Sequence, residues 1–220
     1  YFTELLSAIL TTAGEIEESL GITFEYISMG GGFGIPYQPE ESPINATELF
    51  ENLGKVFGEF YDRSSPDSPA LFIEPGKFLV ADAGFILTRV TGIKKSYKRF
   101  MGLDAGMNTL IRPALYNAYH RIFKIGEPEA PASQTADVTG AICENTDRLA
   151  VDRELPDLNE GDLVAIMDTG AYGFVLSSPY NTRPRPAEVL LENGKPRLIR
   201  KRETIAEIFA GCDWDGDKDQ

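Results

Sequence analysis

The segment Ser28–Tyr37, SMGGGFGIPY, places three consecutive glycines directly after the apolar run FEYISM of residues 24–29. Such a run is costly, because glycine loses more backbone freedom on folding than any other residue. Glycines are used where the backbone needs a positive φ or must approach a ligand too closely for a β-carbon. The spacing matches neither the dinucleotide-binding pattern nor a P-loop. This segment alone therefore leaves two alternatives open, a tight turn after a strand and a backbone anion site.

The flanking segments predict an alternation of helices and strands. Apolar residues recur at helical spacing over residues 2–20 and end at Gly21, and residues 45–48, NATE, have the capping-box pattern of a second helix start. A second short apolar strand, ALFIE at residues 70–74, runs directly into the sequence PGK. Helix, strand, helix and strand with a glycine turn after each strand indicate parallel βα units, and the last loops of a (β/α)8 barrel often bind phosphate.

Beyond residue 84 the pattern changes to short β-branched and aromatic runs separated by turn residues. Residues 192–195, ENGK, predict a hairpin, and residues 108–122, NTLIRPALYNAYHRI, are the one helical-looking interruption. The predicted fold is thus α/β plus all-β. Residues 1–84 form the last βα units of a (β/α)8 TIM-like barrel, and residues 85–220 form a C-terminal β-barrel or sandwich domain.

Composition limits the classes of partner. The 220 residues are 42% hydrophobic and 25% charged, with a formal net charge of −13, so we expect a soluble globular protein that binds neither nucleic acid nor an anionic membrane. Cys143 and Cys212 are far apart and His120 is the single histidine, so no metal site and a reducing, cytoplasmic compartment are predicted. The tail of residues 213–220, DWDGDKDQ, begins like a calcium loop but lacks its closing glutamate, which favours a solvated acidic tail.

Six segments carry a resemblance to a known family. In chain order they are GGGFGIPY, EPGKFLV, DAGMNTLIRPALYNAYH, CENTDRLA, EGDLVAIMDTGAYGF and YNTRPRPAEVL. Together they resemble the diaminopimelate decarboxylases, fold-type-III pyridoxal-phosphate enzymes, over roughly residues 26–207. The resemblance implies a cytoplasmic carboxy-lyase that converts meso-2,6-diaminopimelate to L-lysine and CO₂, the last step of lysine biosynthesis. It also implies a homodimer with shared active sites.

The resemblance assigns a set of residues to pyridoxal 5'-phosphate. Backbone N–H groups of the glycine run would hold the phosphate without a basic side chain, which suits an acidic chain. Glu74 would pair with the pyridine nitrogen, at the end of a strand whose apolar sequence predicts burial. The implied cofactor-binding residues are Gly30, Gly31, Gly32, Glu74, Pro75, Gly76, Lys77 and Tyr172.

A second set is assigned to the substrate and to catalysis. Lys77 stands where the family pattern has arginine, which keeps the charge and loses the bidentate fork. Cys143 would donate a proton in the other subunit's active site, whereas a lone cysteine is by composition a small buried hydrophobe. Arg112 and Tyr116 lie one helical turn apart and are expected to face one pocket. The implied substrate-binding residues are Lys77, Arg112, Tyr116, Glu144 and Tyr172.

The lysine that carries the cofactor in this family matches no lysine of the chain, and we expect His120 to be a helix-end residue and Cys212 to be structural. The chain is therefore expected to be the C-terminal half of an enzyme and inactive by itself. Two alternatives stay open. One is a related decarboxylase acting on another amino acid or a carrier-linked amino acid, and the other is a catalytically silent homologue with a binding or regulatory role.

Overall fold

The computed structural model describes residues 1–213, and the predicted acidic tail lies outside them from residue 214 onward. The chain divides into two compact units, the first spanning Tyr1–Val80 and the second beginning at Ala81. The sequence placed the boundary after residue 84. No helix within residues 1–213 has the length and apolar character needed to cross a membrane.

The first unit contains three helices and two strands. Helix α1 ends at Gly21, whose left-handed backbone (φ 65°) lets its N–H donate to the Glu17 carbonyl, as the sequence predicts. Helix α2 begins after Asn45, whose side chain accepts a hydrogen bond from the Glu48 N–H. The elements are α1 (Phe2–Leu20), β1 (Tyr26–Ser28), α2 (Ala46–Phe60), β2 (Ala70–Phe72) and α3 (Gly76–Val80).

Strands β1 and β2 pair in parallel, with Ile27 opposite Leu71, and α2 forms the crossover between them. The core of this unit packs the apolar faces of both helices against β1 and the segment after it. Its buried members are Leu6, Leu10, Ala13, Ile27, Met29, Phe33, Leu53 and Phe57. Because the two strands are parallel neighbours, the glycine loop after β1 and the Pro-Gly turn after β2 leave the sheet at the same edge.

The second unit is built on a six-stranded sheet in the order β5-β8-β3-β4-β6-β7, antiparallel except for the β4–β6 pair. Buried aliphatic side chains of these strands form its core, and strands β9 and β10 form a separate hairpin. The elements are β3 (Ile86–Lys95), β4 (Arg99–Leu103), α4 (Arg112–Tyr116), β5 (Ile122–Lys124), β6 (Gln134–Thr139), β7 (Arg148–Leu155), β8 (Leu163–Ile166), β9 (Glu188–Glu192), β10 (Lys195–Arg200) and α5 (Ile205–Ile208).

The predicted β-rich character of this unit is confirmed, and the hairpin turns at Asn193 and Gly194, both at positive φ. The sheet does not close into a barrel in the part of the chain that the structure describes, since β5 and β7 are its two edge strands there. The helical-looking segment 108–122 contains only one helical turn. Helix α4 ends because Asn117 adopts a left-handed conformation, and β5 begins at Ile122.

Candidate active site

The glycine run follows β1 and contacts the chain just after β2. The Glu74 N–H donates to the Gly30 carbonyl at 2.9 Å, and a Cβ placed on Gly31 would lie 2.6 Å from the Glu74 carbonyl oxygen. Gly30 and Gly32 adopt φ values of 71° and 93°. Both reasons for glycine therefore apply here, because positions 30 and 32 need positive φ and position 31 needs a close backbone approach.

The donors of this loop are available for an anion. Within residues 1–213, the N–H groups of Gly31 and Gly32 donate to no protein acceptor, whereas the Gly30 N–H bonds to the Ser28 hydroxyl at 3.2 Å. The Gly76 N–H, in the residue that the resemblance also assigns to the cofactor, donates to the Glu74 carbonyl at 2.9 Å. A Cβ on Gly76 would have open space around it, since nothing in the first unit lies within 4 Å apart from its chain neighbours and the backbone of its own helix.

Glu74 lies beside this loop, and its environment differs from the predicted one. Its carboxylate accepts a hydrogen bond from the Ser28 hydroxyl at 2.8 Å, which ties the ends of β1 and β2 together. The side chain is exposed, and β2 is only partly covered, so the predicted burial of this strand is wrong for the first unit as described. Pro75 precedes α3, and Lys77 is half-buried in the first turn of that helix.

A separate cluster of polar side chains lies in the second unit around α4. Arg112 is 8% exposed, and its Nη1 lies 3.1 Å from Nε2 of His120, which has no exposed surface. The other ring nitrogen, Nδ1, lies 2.9 Å from the Met167 carbonyl oxygen. His120 is therefore not the helix-end residue that the sequence suggested, because α4 ends at Tyr116 and the chain then turns inward to bury the imidazole.

Charged groups surround this cluster. Arg153 donates to the His120 carbonyl oxygen at 2.6 Å and stacks on the Tyr119 ring at 3.7 Å, and burial lowers the pKa of its guanidinium. Arg121 forms a bidentate pair with Asp168, with both N–O distances at 3.0 Å, and the hydrogen bonds to that carboxylate raise the pKa of Arg121.

Burial lowers the pKa of His120, and the nearby cations Arg112 and Arg153 lower it further. The hydrogen bond to the Met167 carbonyl and the charge of Asp168 act in the opposite direction. The neutral form of the imidazole is thus favoured in the folded protein.

The CENTD segment is held by its own aspartate. Asp147 is 2% exposed, and its carboxylate accepts hydrogen bonds from the Met107 N–H at 2.6 Å and the Ile142 N–H at 2.7 Å. A Cβ on Gly140 would lie 2.4 Å from both carboxylate oxygens, and one on Gly106 would lie 2.8 Å from Oδ1. Two glycines thus make room for one carboxylate that joins the DAGMN and CENTD segments, and we call this arrangement the Asp147 clasp.

The clasp positions the residues that precede it. Cys143 is exposed, and the Asn181 amide lies 3.6 Å from its sulfur. Asn181 adopts a positive φ of 53°, so the YNTRPRP segment bends at this contact. Glu144 is exposed, and its carboxylate accepts a hydrogen bond from the Thr146 N–H at 3.2 Å. The structure therefore brings together two of the predicted motifs, CENTD and YNTRPRP.

Tyr172 and Tyr116, which the resemblance assigns to the substrate, both have exposed side chains. Tyr172 is 46% exposed at a positive φ of 60°, in a turn where a Cβ on Gly173 would lie 2.2 Å from the Thr169 carbonyl oxygen. Tyr116 is 63% exposed, whereas Arg112 on the same helical turn is buried. Within the second unit the two ends of α4 therefore have different environments.

Comparison with known proteins identifies the family. Residues 26–170, more than half of the chain, match the family model described as "Pyridoxal-dependent decarboxylase, C-terminal sheet domain". The chain belongs to the pyridoxal-dependent decarboxylases. The resemblance seen in the ordered motifs is confirmed, and so is pyridoxal phosphate as the cofactor of the family.

Two relatives and one solved structure show where this decarboxylase chain stands within the family. The diaminopimelate decarboxylase of Methanothermobacter thermautotrophicus is 45% identical over 96% of this chain and 49% of its own length. That of Archaeoglobus fulgidus is 41% identical over 94% of this chain and 49% of its own. The crystal structure of diaminopimelate decarboxylase from M. jannaschii in co-complex with L-lysine superposes with a TM-score of 0.85 at 35% identity, covering 96% of this chain and 48% of that chain. The chain thus spans about half the length of the relatives it matches.

The described residues fit the family's cofactor. A phosphate needs several converging N–H donors, and Gly31 and Gly32 provide them at a point where a side chain would collide with the Glu74 carbonyl. A carboxylate follows within the same pair of loops, as a pyridine nitrogen requires. Sequence reasoning missed Asp147 and His120, although both lie inside motifs that it quoted. The carboxylate of Asp147 is seven residues from Gly140 but 41 residues from Gly106, so the arrangement becomes recognisable only once the loops are folded together.

Proposed function

We propose that the chain is the C-terminal half of a diaminopimelate decarboxylase, which converts meso-2,6-diaminopimelate to L-lysine and CO₂. The observation that carries this proposal is the 45% identity to the Methanothermobacter thermautotrophicus enzyme over 96% of the chain. The fold-type-III architecture of the relatives supports assigning residues 1–84 to the last βα units of a (β/α)8 barrel. The parallel β1–α2–β2 unit of the first part agrees with that assignment.

When bound, pyridoxal phosphate supplies the electron sink that accepts the electron pair left when the bond to CO₂ breaks. The loop of Gly30, Gly31 and Gly32 would hold its phosphate through the N–H groups of Gly31 and Gly32, and Glu74, fixed by Ser28, would hold its ring nitrogen in the charged form. Tyr172, whose turn leaves its side chain exposed, would contact the phosphate and the substrate. Pro75, Gly76 and Lys77 complete the wall of the cradle.

The remaining residues act on the substrate. Arg112 and Lys77 bind carboxylate, Glu144 binds the distal amino group, and Tyr116 lines the substrate pocket. The thiol of Cys143 donates its proton to the carbon that has lost CO₂, which completes the exchange of a carboxylate for a hydrogen. We further propose that Cys143 and Glu144 serve the active site of the other subunit of a cytoplasmic homodimer. Residues 1–220 alone are then inactive, because none of their lysines matches the family's cofactor-binding motif.

The test uses the full-length protein with pyridoxal phosphate. Incubation with meso-diaminopimelate should release equal amounts of CO₂ and L-lysine. In Arg112→Ala, the KM for meso-diaminopimelate should rise about thirtyfold or more, since loss of one partner of a buried charge pair costs about 2–5 kcal/mol.

D-lysine retains the reacting D-centre and lacks the distal carboxylate, so its turnover should fall far less in Arg112→Ala. Equal losses for both substrates would show that Arg112 is not the clamp. Absence of lysine formation by the wild-type protein would refute the proposed activity itself.

One observation favours a second candidate, a related decarboxylase with another substrate. Lys77 replaces the arginine of the family pattern, and an ammonium group cannot reproduce the two parallel hydrogen bonds of a guanidinium. Ornithine, arginine and carrier-linked amino acids should therefore be assayed beside meso-diaminopimelate. A higher kcat/KM on one of them would favour this candidate, and Lys77→Arg should then shift preference back toward diaminopimelate. A protein that binds the cofactor and turns over none of them would favour the silent homologue.

A further inference from the structure

The buried histidine beside Arg112 has no role in the function proposed above. His120 is fully buried between α4 and the segment after β8, and it joins Arg112 to the Met167 carbonyl through its two ring nitrogens. A buried histidine that only filled space would not need both nitrogens aimed at polar atoms of different elements. This geometry makes the ring a connector between the backbone and the guanidinium.

The chemistry of the three groups settles the protonation of the ring. A guanidinium has only donors, so the Arg112 N–H donates and the His120 Nε2 accepts. A carbonyl has only acceptor oxygens, so the proton of the imidazole lies on Nδ1 and is donated to Met167. Only the neutral imidazole protonated on Nδ1 satisfies both contacts. A second proton would turn Nε2 into a donor that faces another donor and another positive charge.

We propose that neutral His120 is a positioning residue that holds the Arg112 guanidinium in the orientation that binds a substrate carboxylate. The inference rests on the proposed function in taking Arg112 as a carboxylate clamp. The Met167 carbonyl fixes the ring, the ring fixes one N–H of the guanidinium, and the planar fork of the arginine is thereby oriented as a whole. Protonation of His120 would release this hold.

The charged groups around the ring support the same conclusion. Arg112 on α4 and Arg153 on β7 both disfavour an imidazolium, and burial lowers the pKa of His120 more than either of them. Asp168, which follows β8, has the opposing charge, and it is already engaged in the bidentate pair with Arg121. The clamp should therefore hold at neutral pH and weaken only below the ordinary histidine range of about pH 6.5.

The experiment compares two substitutions of His120 in the full-length holoenzyme. In His120→Gln the side-chain amide offers an oxygen to Arg112 and an N–H to Met167, and it does not titrate. In His120→Leu the volume is filled and both hydrogen bonds are lost. Thr88→Val is the control, because Thr88 is also buried in this unit but its hydroxyl bonds to Asp104 and Ala105.

We expect His120→Leu to raise the KM for meso-diaminopimelate about 10- to 100-fold with kcat nearly unchanged, as expected for a lost hydrogen bond to a charged group. His120→Gln should keep KM within about threefold of wild type, since a neutral donor and acceptor replace the ring. The wild-type kcat/KM should fall on the acid side of about pH 6.5, and this limb should be weakened in His120→Gln. Thr88→Val should lower the melting temperature and leave KM and its pH dependence unchanged.

The outcomes separate this inference from the proposed function. If Arg112→Ala raises KM while His120→Leu does not, the clamp stands and the positioning role of His120 is refuted. If Arg112→Ala has no effect on KM, the proposed role of Arg112 as the clamp is refuted, and the inference about His120, which depends on that role, is refuted with it. Should His120→Leu not fold, the pH dependence of His120→Gln tests the inference instead. A fall of kcat/KM at acid pH identical to that of the wild type would overturn it.

Discussion

Replacing Asp147 by asparagine should break the Asp147 clasp while preserving the volume of the side chain. The carboxylate accepts N–H groups of Met107 and Ile142 through separate oxygens, at 2.6 and 2.7 Å. An amide has one oxygen and one NH₂ group, so one of these N–H groups would face a donor instead of an acceptor. The neighbouring glycines leave no space for the side chain to turn away, because a Cβ at Gly140 would already lie 2.4 Å from both oxygens.

The magnitude follows from the two contacts. A hydrogen bond to a charged group contributes about 1.5–3 kcal/mol, and a buried donor left without an acceptor costs about 1–3 kcal/mol. Asp147→Asn should therefore destabilise the clasp by about 3–5 kcal/mol. Local opening would then become about 100-fold or more frequent, since each 1.4 kcal/mol is a factor of ten.

Hydrogen exchange measured on peptides by mass spectrometry can test this locally. The amides of Met107 and Ile142 should lose protection in Asp147→Asn, while the strands β3 and β8 keep theirs. Asp137→Asn is the matched control, because Asp137 is also 2% exposed and also accepts a backbone N–H, that of Asp152 at 2.9 Å. Unchanged protection at Met107 and Ile142, or an equal loss in the control, would refute the clasp as the element that joins the two segments.

Two further substitutions test the site. Gly31→Ala should weaken binding of pyridoxal phosphate in a fluorescence titration, because its Cβ would lie 2.6 Å from the Glu74 carbonyl oxygen. Gly14→Ala is the control and should bind the cofactor normally, because nothing lies within 4 Å of where its Cβ would stand. Equal affinities of the two variants would argue against the cradle. Cys143→Ala should lower kcat by about 10²–10⁴-fold with cofactor binding intact, the usual worth of a positioned proton donor, and Cys212→Ser should be neutral. Mixing Cys143→Ala subunits with subunits lacking the cofactor lysine should restore activity. No recovery after verified exchange would argue that Cys143 serves its own subunit's site or is only a packed thiol.

Local patterns predicted the parts of the fold that depend on nearby residues. Gly21 ends α1, Asn45 caps α2, and Asn193 with Gly194 forms the predicted hairpin, because each acts through its own backbone conformation. The helix predicted over residues 108–122 was wrong beyond one turn. Periodic apolar residues favoured a helix there, but Asn117 turned left-handed and the burial of His120 required the chain to leave the helical path.

The candidate site was predicted where the family motifs are contiguous and missed where contacts join distant segments. The glycine run, Arg112 and Cys143 could be read directly from quoted motifs. The Asp147 carboxylate joins residues of two different loops, and the His120 ring joins α4 to a carbonyl beyond β8. No local pattern reports such pairings, because they arise only when the sheet brings its loops together.

The parallel pairing of β4 with β6 has a consequence for how this domain can change over time. Antiparallel neighbours can be joined by a two-residue turn, but parallel neighbours need a crossover of a dozen residues or more. Here the crossover from Leu103 to Gln134 also lays β5 against β8 at the far end of the sheet before it returns. A deletion could therefore not reduce this connection to a tight turn, as it could between the antiparallel neighbours of the sheet. Arg112 and His120 lie within this connection, so they belong to a segment that the topology of the sheet requires to be long.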